Sequence, residues 1–129
     1  MEKKRILVVE DSPESLMILR IRLEANGFEV IAAADGVEGL TKARELHPDL
    51  IVLDVMLPKM DGFTMCRFLK YDEEYKDIPV IMLTARGQDQ DVALGRSVGA
   101  NMYFIKPYDS AKLLKAIGKL TSTVHQSPE

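Results

Sequence analysis

The stretch LIVLDVMLP, residues 50–58, decides the fold of this chain. It opens with four consecutive apolar residues, whereas a strand with one solvated face would alternate apolar and polar side chains. Asp54 follows the apolar run directly, so a carboxylate stands where the strand is expected to end. The stretch therefore predicts a strand buried on both faces of a parallel sheet, with an acidic group at its carboxyl end.

Four further short apolar runs predict the other strands of the sheet. They lie at residues 6–9, 30–33, 80–83 and 102–105. Segments of helical character separate all five runs, so strand and helix alternate along the chain.

The predicted helices begin and end at recognisable signals. Ser12 is an N-cap and Pro13 a first-turn proline for the first helix, which stops at Asn26-Gly27. The other helices are predicted from Val37 to His47-Pro48, over residues 63–70 and 89–98, and from Asp109 onward. The helix over 89–98 is the weakest, because Gly95 inside it costs about 1 kcal/mol relative to alanine.

This alternation predicts an α/β fold: an open parallel sheet with right-handed crossovers and helices on both faces. In such sheets the functional groups lie at the carboxyl ends of the strands. The sequence shows no repeat and no second domain, so we expect one domain over residues 1–121 and a polar tail over 122–129.

Composition agrees with a single globular domain. The chain has 129 residues, of which 47% are hydrophobic and 29% charged. A folded chain of this length buries roughly two thirds of its unfolded surface, so a core can form without metals or disulfides. Cys66 is the one cysteine, which excludes an intrachain disulfide and favours a reducing compartment.

No segment resembles a membrane span or a secretory signal. No stretch free of charged residues exceeds nine residues, far short of the ~20 that cross a bilayer. The basic start at residues 3–5 is followed by only four apolar residues before Glu10. We therefore expect no membrane contact and a cytoplasmic location.

The charge balance disfavours direct binding to nucleic acid. Seventeen basic and twenty acidic residues give a net charge of −3. The basic residues are scattered along the chain and form no run or stripe.

Charged and polar side chains follow four of the five predicted strands. They are Glu10-Asp11, Asp54, Thr84-Ala85 and Lys106-Pro107. Three clustered carboxylates repel one another unless a cation or protons neutralise them. Because oxygen-only ligands favour a hard ion that keeps several waters, the sequence predicts Mg²⁺.

A second ligand is expected beside the metal. Lys106 and Thr84 would act as donors for an anionic, tetrahedral phosphoryl group. Asp54 is then positioned as its nucleophile.

Five short motifs closely resemble, in order and spacing, those of the receiver domain of two-component response regulators. They are Glu10-Asp11, residues 54–58, Asp61-Gly62, Thr84-Ala85 and Lys106-Pro107. The resemblance covers residues 4 to about 120. It implies a flavodoxin-like, doubly wound five-stranded sheet of order 2-1-3-4-5. It also implies a signalling switch or phosphorelay receiver in which Asp54 accepts a phosphoryl group from a sensor histidine kinase or a histidine phosphotransfer protein.

The resemblance assigns a role to each site residue. It implies that Mg²⁺ binds Asp11, Asp54, the main-chain carbonyl of Met56 and, through water, Glu10. Phosphoryl oxygens would be held by Thr84, the Ala85 amide and Lys106. Thr84 and Tyr103 would form the switch, and a cis peptide bond would precede Pro107.

Two other functions remain to be compared with this one. A Mg²⁺-dependent phosphatase commonly has an aspartate two residues after its nucleophile, but Met56 stands there. A flavin or nucleotide binder needs a glycine- or serine-rich loop after the first strand, where this chain has Glu10 and Asp11. We therefore expect a receiver rather than an enzyme with a small substrate, either standing alone or excised from a hybrid kinase or longer regulator.

The partners are expected to be proteins: the phosphoryl donor and an unidentified downstream target. Receivers attached to winged-helix domains often pair through a Gly-Ala-Asp-Asp-Tyr stretch, but here residues 99–103 read GANMY. Both acids are missing, and the last predicted helix carries Lys112, Lys115 and Lys119. We therefore expect a monomer when the chain is unphosphorylated.

Overall fold

A parallel five-stranded sheet forms the centre of the protein. The structure is a computed structural model that describes residues 3–85, 93–94 and 96–122. The strands are β1 (Arg5–Val9), β2 (Glu29–Ala33), β3 (Leu50–Asp54), β4 (Val80–Thr84) and β5 (Met102–Ile105). They pair in the order β2-β1-β3-β4-β5, every neighbouring pair parallel. The predicted fold class and strand order are confirmed.

Four helices are described over their full length. They are α1 (Pro13–Ala25), α2 (Gly36–Leu46), α3 (Gly62–Lys70) and α4 (Ser110–Ser122). Of the helix predicted over 89–98, residues 93–94 and 96–97 are helical, while 89–92 and 95 lie outside the described residues. Residues 123–129, most of the predicted tail, also lie outside them.

Side-chain caps start all four helices close behind the strands, and at α4 the Asp109 carboxylate accepts from the Ala111 amide at 2.9 Å. Ser12 Oγ accepts a hydrogen bond from the Ser15 amide, at 3.3 Å. Asp35 and Asp61 accept from the amides of Glu38 and Thr64, each at 2.8 Å. Each cap satisfies an amide that would otherwise lack a partner in the first helical turn. The short connections this allows keep the carboxyl end of the sheet compact.

The core consists of two apolar layers, one on each face of the sheet. All five residues of β3 are buried, as the unbroken apolar run predicted. One layer joins the sheet to α2 and α3, through residues such as Leu53, Met65 and Cys66. The other joins it to α1 and α4, through residues such as Leu19, Val52 and Ile117.

Two apolar features depart from the simple helix patterns. Val37, which helped to mark the second helix in the sequence, is 46% exposed in the first turn of α2. Helix α1 buries Leu19 and Leu23 but leaves Met17, Ile18 and Ile21 more than half exposed. Apolar residues on the outer face of α1 therefore take no part in the core.

Within the part of the chain that is described, no helix combines the length and the apolar character needed to cross a membrane.

Cys66 offers a test of the core around α3. Its side chain is fully buried, its Sγ donates to the Val98 carbonyl at 3.5 Å, and burial raises the pKa of its thiol to about 11. The thiolate is the reactive form, so we expect a disulfide reagent such as DTNB to label native protein at least about a hundredfold more slowly than protein in urea. Equal rates would contradict this packing.

Candidate functional site

Three carboxylates meet at the carboxyl end of the sheet. Glu10 and Asp11 follow β1, and Asp54 is the last residue of β3. Each offers an oxygen within 4.8 Å of the other two. Glu10 and Asp54 are buried, whereas Asp11 is exposed. The structure thus brings together the acidic residues that the sequence singled out, with one side open to solvent.

Main-chain amides orient the two buried carboxylates. Glu10 Oε2 accepts a hydrogen bond from the Ser12 amide at 3.1 Å, and Asp54 Oδ1 accepts from the Met56 amide at 3.0 Å. Both donors lie two residues after the acid, where the chain turns away from the sheet. Amide donors stabilise the ionised carboxylate and fix its direction.

Lys106 connects the acids across the sheet. Its Nζ donates to Asp54 Oδ2 at 2.7 Å and to Glu10 Oε1 at 3.3 Å. The residue follows the edge strand β5, and its amide donates to the Thr84 carbonyl at 2.6 Å. The peptide bond from Lys106 to Pro107 is cis, as the resemblance implied.

Burial and charge shift the pKa values of this cluster. Burial raises the pKa of Glu10, and the charge of Asp54 adds to that, outweighing the Ser12 amide and Lys106. Burial works against the charge on Lys106, but its hydrogen bond to Asp54 and the nearby negative charge raise the pKa of Lys106 overall. Lys106 therefore stays cationic, and ionised Glu10 is held at a cost.

The donor set fits a hard divalent cation. One ammonium group faces three carboxylates, so two negative charges remain uncompensated when all are ionised. All side-chain donors are oxygens, which Mg²⁺ prefers, and exposed Asp11 leaves room for the waters that Mg²⁺ retains. Met56 lies two residues after the end of β3, and its side chain is 55% exposed.

Thr84 and Tyr103 lie on the same face of the sheet. Thr84 is fully buried at the end of β4 and pairs with Ile105 in register. Tyr103, two positions earlier on β5, is half-buried against the core layer of α2 and α3. Ala85 follows Thr84 and is exposed. The residues directly after Ala85, 86–92, are outside the described part of the chain.

The close backbone contacts of two glycines beside the site were not predicted from the sequence. A Cβ on Gly62 would lie 2.5 Å from the Asp54 carbonyl oxygen, and a Cβ on Gly36 only 2.0 Å from the Met60 carbonyl oxygen. Asp61-Gly62 does start α3, as a turn of that kind should. The only signal for Gly36 was a glycine at the first position of a helix, directly after its cap Asp35.

Comparison with known proteins agrees with this geometry. A family model described as the response regulator receiver domain matches residues 6–118. The DNA-binding dual master transcriptional regulator RpaA of Synechocystis is 45% identical over 97% of this chain and 52% of its own length. The chain spans about half the length of these curated relatives that it matches.

Two solved structures have the same fold over nearly their whole length. The signal receiver domain of a histidine kinase from Syntrophus aciditrophicus has a TM-score of 0.90 and 34% identity, covering 98% of this chain and 96% of that one. The receiver domain of sensor histidine kinase PA1611 from Pseudomonas aeruginosa has a TM-score of 0.86 and 29% identity, covering 94% and 99%. The latter was solved with a magnesium ion coordinated in its active site cleft.

The raised pKa of Glu10 predicts a pH-dependent loss of stability in metal-free protein. Ionised Glu10 is disfavoured in the folded state, so stability falls as pH rises from near 4.5 through the raised pKa. Glu10→Gln avoids this loss. Its urea midpoint in a chelating buffer should exceed that of the wild type at pH 7, and the difference should shrink below pH 4.5.

Glu29→Gln, an exposed position on the edge strand β2, is the matched control and should leave the midpoint nearly unchanged. A Glu10→Gln variant that is no more stable than the wild type at pH 7 would show that ionised Glu10 carries no such cost.

Proposed function

Since this chain belongs to the response regulator receiver domain family, we propose that it is a phosphorylation-controlled signalling switch. Asp54 accepts a phosphoryl group from a histidine of a sensor kinase or a phosphotransfer protein. The P–N bond of the phosphohistidine breaks as the bond from Asp54 to phosphorus forms. The observation that supports this most is the buried Asp54 carboxylate, held between Lys106 and the Met56 amide.

This double hold orients the nucleophile. One oxygen of Asp54 faces Lys106 and the other faces the Met56 amide, so the carboxylate cannot rotate freely. A fixed carboxylate loses little entropy on attack, which lowers the barrier of a reaction that depends mainly on positioning. Lys106 lies within reach of the product and can pair with a phosphoryl oxygen.

We assign the metal to Asp11, Asp54 and the main-chain carbonyl of Met56, with Glu10 acting through water. The acidic cluster supports Mg²⁺ here, and so does the magnesium ion in the similar receiver domain from Pseudomonas aeruginosa. When bound, Mg²⁺ neutralises charge that develops on the transferred phosphoryl oxygens.

The remaining site residues serve the phosphorylated state in this proposal. The Thr84 hydroxyl, the Ala85 amide and Lys106 hold phosphoryl oxygens. Thr84 and Tyr103 share one face of the sheet, so a movement of Thr84 toward the phosphoryl group acts on the core layer that contains Tyr103. These two residues form the switch.

The partners in this proposal are proteins. RpaA is named as a DNA-binding regulator, but this chain covers only about half of it. Residues 1–121 therefore act as a receiver domain that signals to a downstream protein. This domain either stands alone or is part of a hybrid kinase or a longer regulator. Lys112, Lys115 and Lys119 are all exposed on α4. Their like charges would oppose a symmetric pairing through that helix and favour a monomer before phosphorylation.

Phosphorylation of Asp54 can be tested by intact-mass measurement after incubation with acetyl phosphate and Mg²⁺. We expect one added phosphoryl group on the wild type, none after chelation and none on Asp54→Asn. Asp61→Asn is the matched control, since asparagine also caps α3, and it should be labelled like the wild type. Equal labelling of Asp54→Asn would remove Asp54 from the nucleophile role.

Lys106 is expected to couple the phosphoryl group to the switch. Lys106→Ala should remain folded and bind Mg²⁺, because the two core layers do not involve Lys106. Beryllofluoride, a phosphoryl mimic, should shift the amide signals of Thr84 and Tyr103 in the wild type and much less in the variant. Loss of the fold in metal-free Lys106→Ala would instead assign the lysine a structural role.

A further inference from the structure

The loop between β3 and α3 touches α2 at a point where no side chain fits. Gly36, the first residue of α2, is buried against Met60. A Cβ at Gly36 would lie 2.0 Å from the Met60 carbonyl oxygen and 2.8 Å from the Met60 carbonyl carbon and Cβ. Ordinary contacts of this kind begin at 3.4 Å. The missing side chain therefore allows the backbones of α2 and the loop to meet.

The loop is held at both ends as well as at Gly36. The Val55 amide donates to the Leu83 carbonyl at 2.9 Å, and the Gly62 amide returns to the Val55 carbonyl at 3.0 Å. Between them, Lys59 adopts a left-handed backbone, with φ of 68°, and its Nζ lies 3.6 Å from Asp35 Oδ2. Contact with α2 thus determines the path of residues 56–60.

Met56 lies inside this loop, and its main chain serves the site. Its amide donates to Asp54 Oδ1, and its carbonyl is the metal ligand in the function proposed above. From these contacts we infer that Gly36 is a positioning residue for the metal and phosphorylation site. It lets α2 hold the loop in the path that the Met56 carbonyl needs in order to serve as the metal ligand of the proposed function. This inference rests on the proposed function and extends it to a helix that supplies no group to the site.

A larger residue at 36 must move either the loop or α2. The helix is seated closely on the sheet, since a Cβ on Gly39 would lie 2.9 Å from Val9 Cγ2 and 3.0 Å from Met65 Sδ. Lifting α2 would open this packed contact, which loses dispersion energy along the whole interface. The loop is the softer element, because Met56, Pro58 and Lys59 are exposed, so Gly36→Ala displaces residues 56–60.

The test compares Gly36→Ala with two glycine variants of this same chain. Gly39→Ala adds a methyl group on the same helix but against core side chains, away from the loop. Gly118→Ala adds one in α4, where nothing lies within 4 Å. Calorimetric titration with Mg²⁺ and amide NMR spectra of metal-free protein are recorded for all three and for the wild type. Urea unfolding of each metal-free protein establishes that the titrated sample is folded.

We expect Gly36→Ala to weaken Mg²⁺ binding about tenfold, as is usual when a group that orients a ligand is lost. Its metal-free amide shifts should change over residues 56–60. Gly39→Ala should lose stability yet keep the wild-type Mg²⁺ affinity, and Gly118→Ala should match the wild type in affinity.

Three results would overturn the inference. If Gly36→Ala has wild-type Mg²⁺ affinity, or Gly39→Ala weakens binding equally, the contact with Met60 does not position the site. If the wild type itself binds no Mg²⁺, the metal assignment and this inference fail together. If the wild type binds Mg²⁺ but accepts no phosphoryl group, only the proposed function fails, and the titration still decides the role of Gly36.

Discussion

Repulsion among Glu10, Asp11 and Asp54 is the constraint on which the carboxyl end of this sheet depends. The only cation that the described structure places within 4 Å of these acids is Lys106. It arrives from the edge strand β5 and must reach across β4 to Asp54 and Glu10. Since Lys106 and Glu10 are 96 residues apart in sequence, the ion pairs exist only when the whole sheet has assembled.

Such a cluster is not a source of stability. Taking carboxylates out of water costs several kcal/mol each, and a buried ion pair often returns no more than that cost. Glu10 shows the penalty directly, since burial raises its pKa despite the Ser12 amide and Lys106. The two apolar layers around β3 supply the compensating burial. The apolar layers thus offset the repulsion among the carboxylates, and a bound cation would reduce that repulsion.

The sequence was enough to predict the strands and their burial, because both depend on local pattern. It also predicted the residues that meet at the site, because the carboxyl ends of the strands in a parallel sheet lie at one edge. Each predicted strand lies within one residue of its observed bounds, and Asp54, Glu10 and Lys106 come together as expected. The contact of Gly36 with Met60 could not be foreseen, since it depends on the distance between two segments with no shared pattern. Val37 marked the start of the predicted second helix as an apolar residue, but in the first turn of α2 it is 46% exposed.

Only one of the two core layers lies on the face of the sheet that carries Thr84 and Tyr103. Thr84 and Tyr103 face the layer of α2 and α3, so in the proposed function a displacement of Thr84 would act on that layer first.

The far end of that face is tied down. The Val80 amide donates to Asn101 Oδ1 at 2.8 Å, Lys70 Nζ donates to the Ile78 carbonyl at 2.8 Å, and Cys66 Sγ contacts the Val98 carbonyl. These bonds hold the start of β5 to β4 and α3. In the proposed function, a displacement of Thr84 would therefore leave the start of β5 in register with β4. In the proposed function, Lys106, which follows the other end of β5, would then stay in place to hold the phosphoryl group.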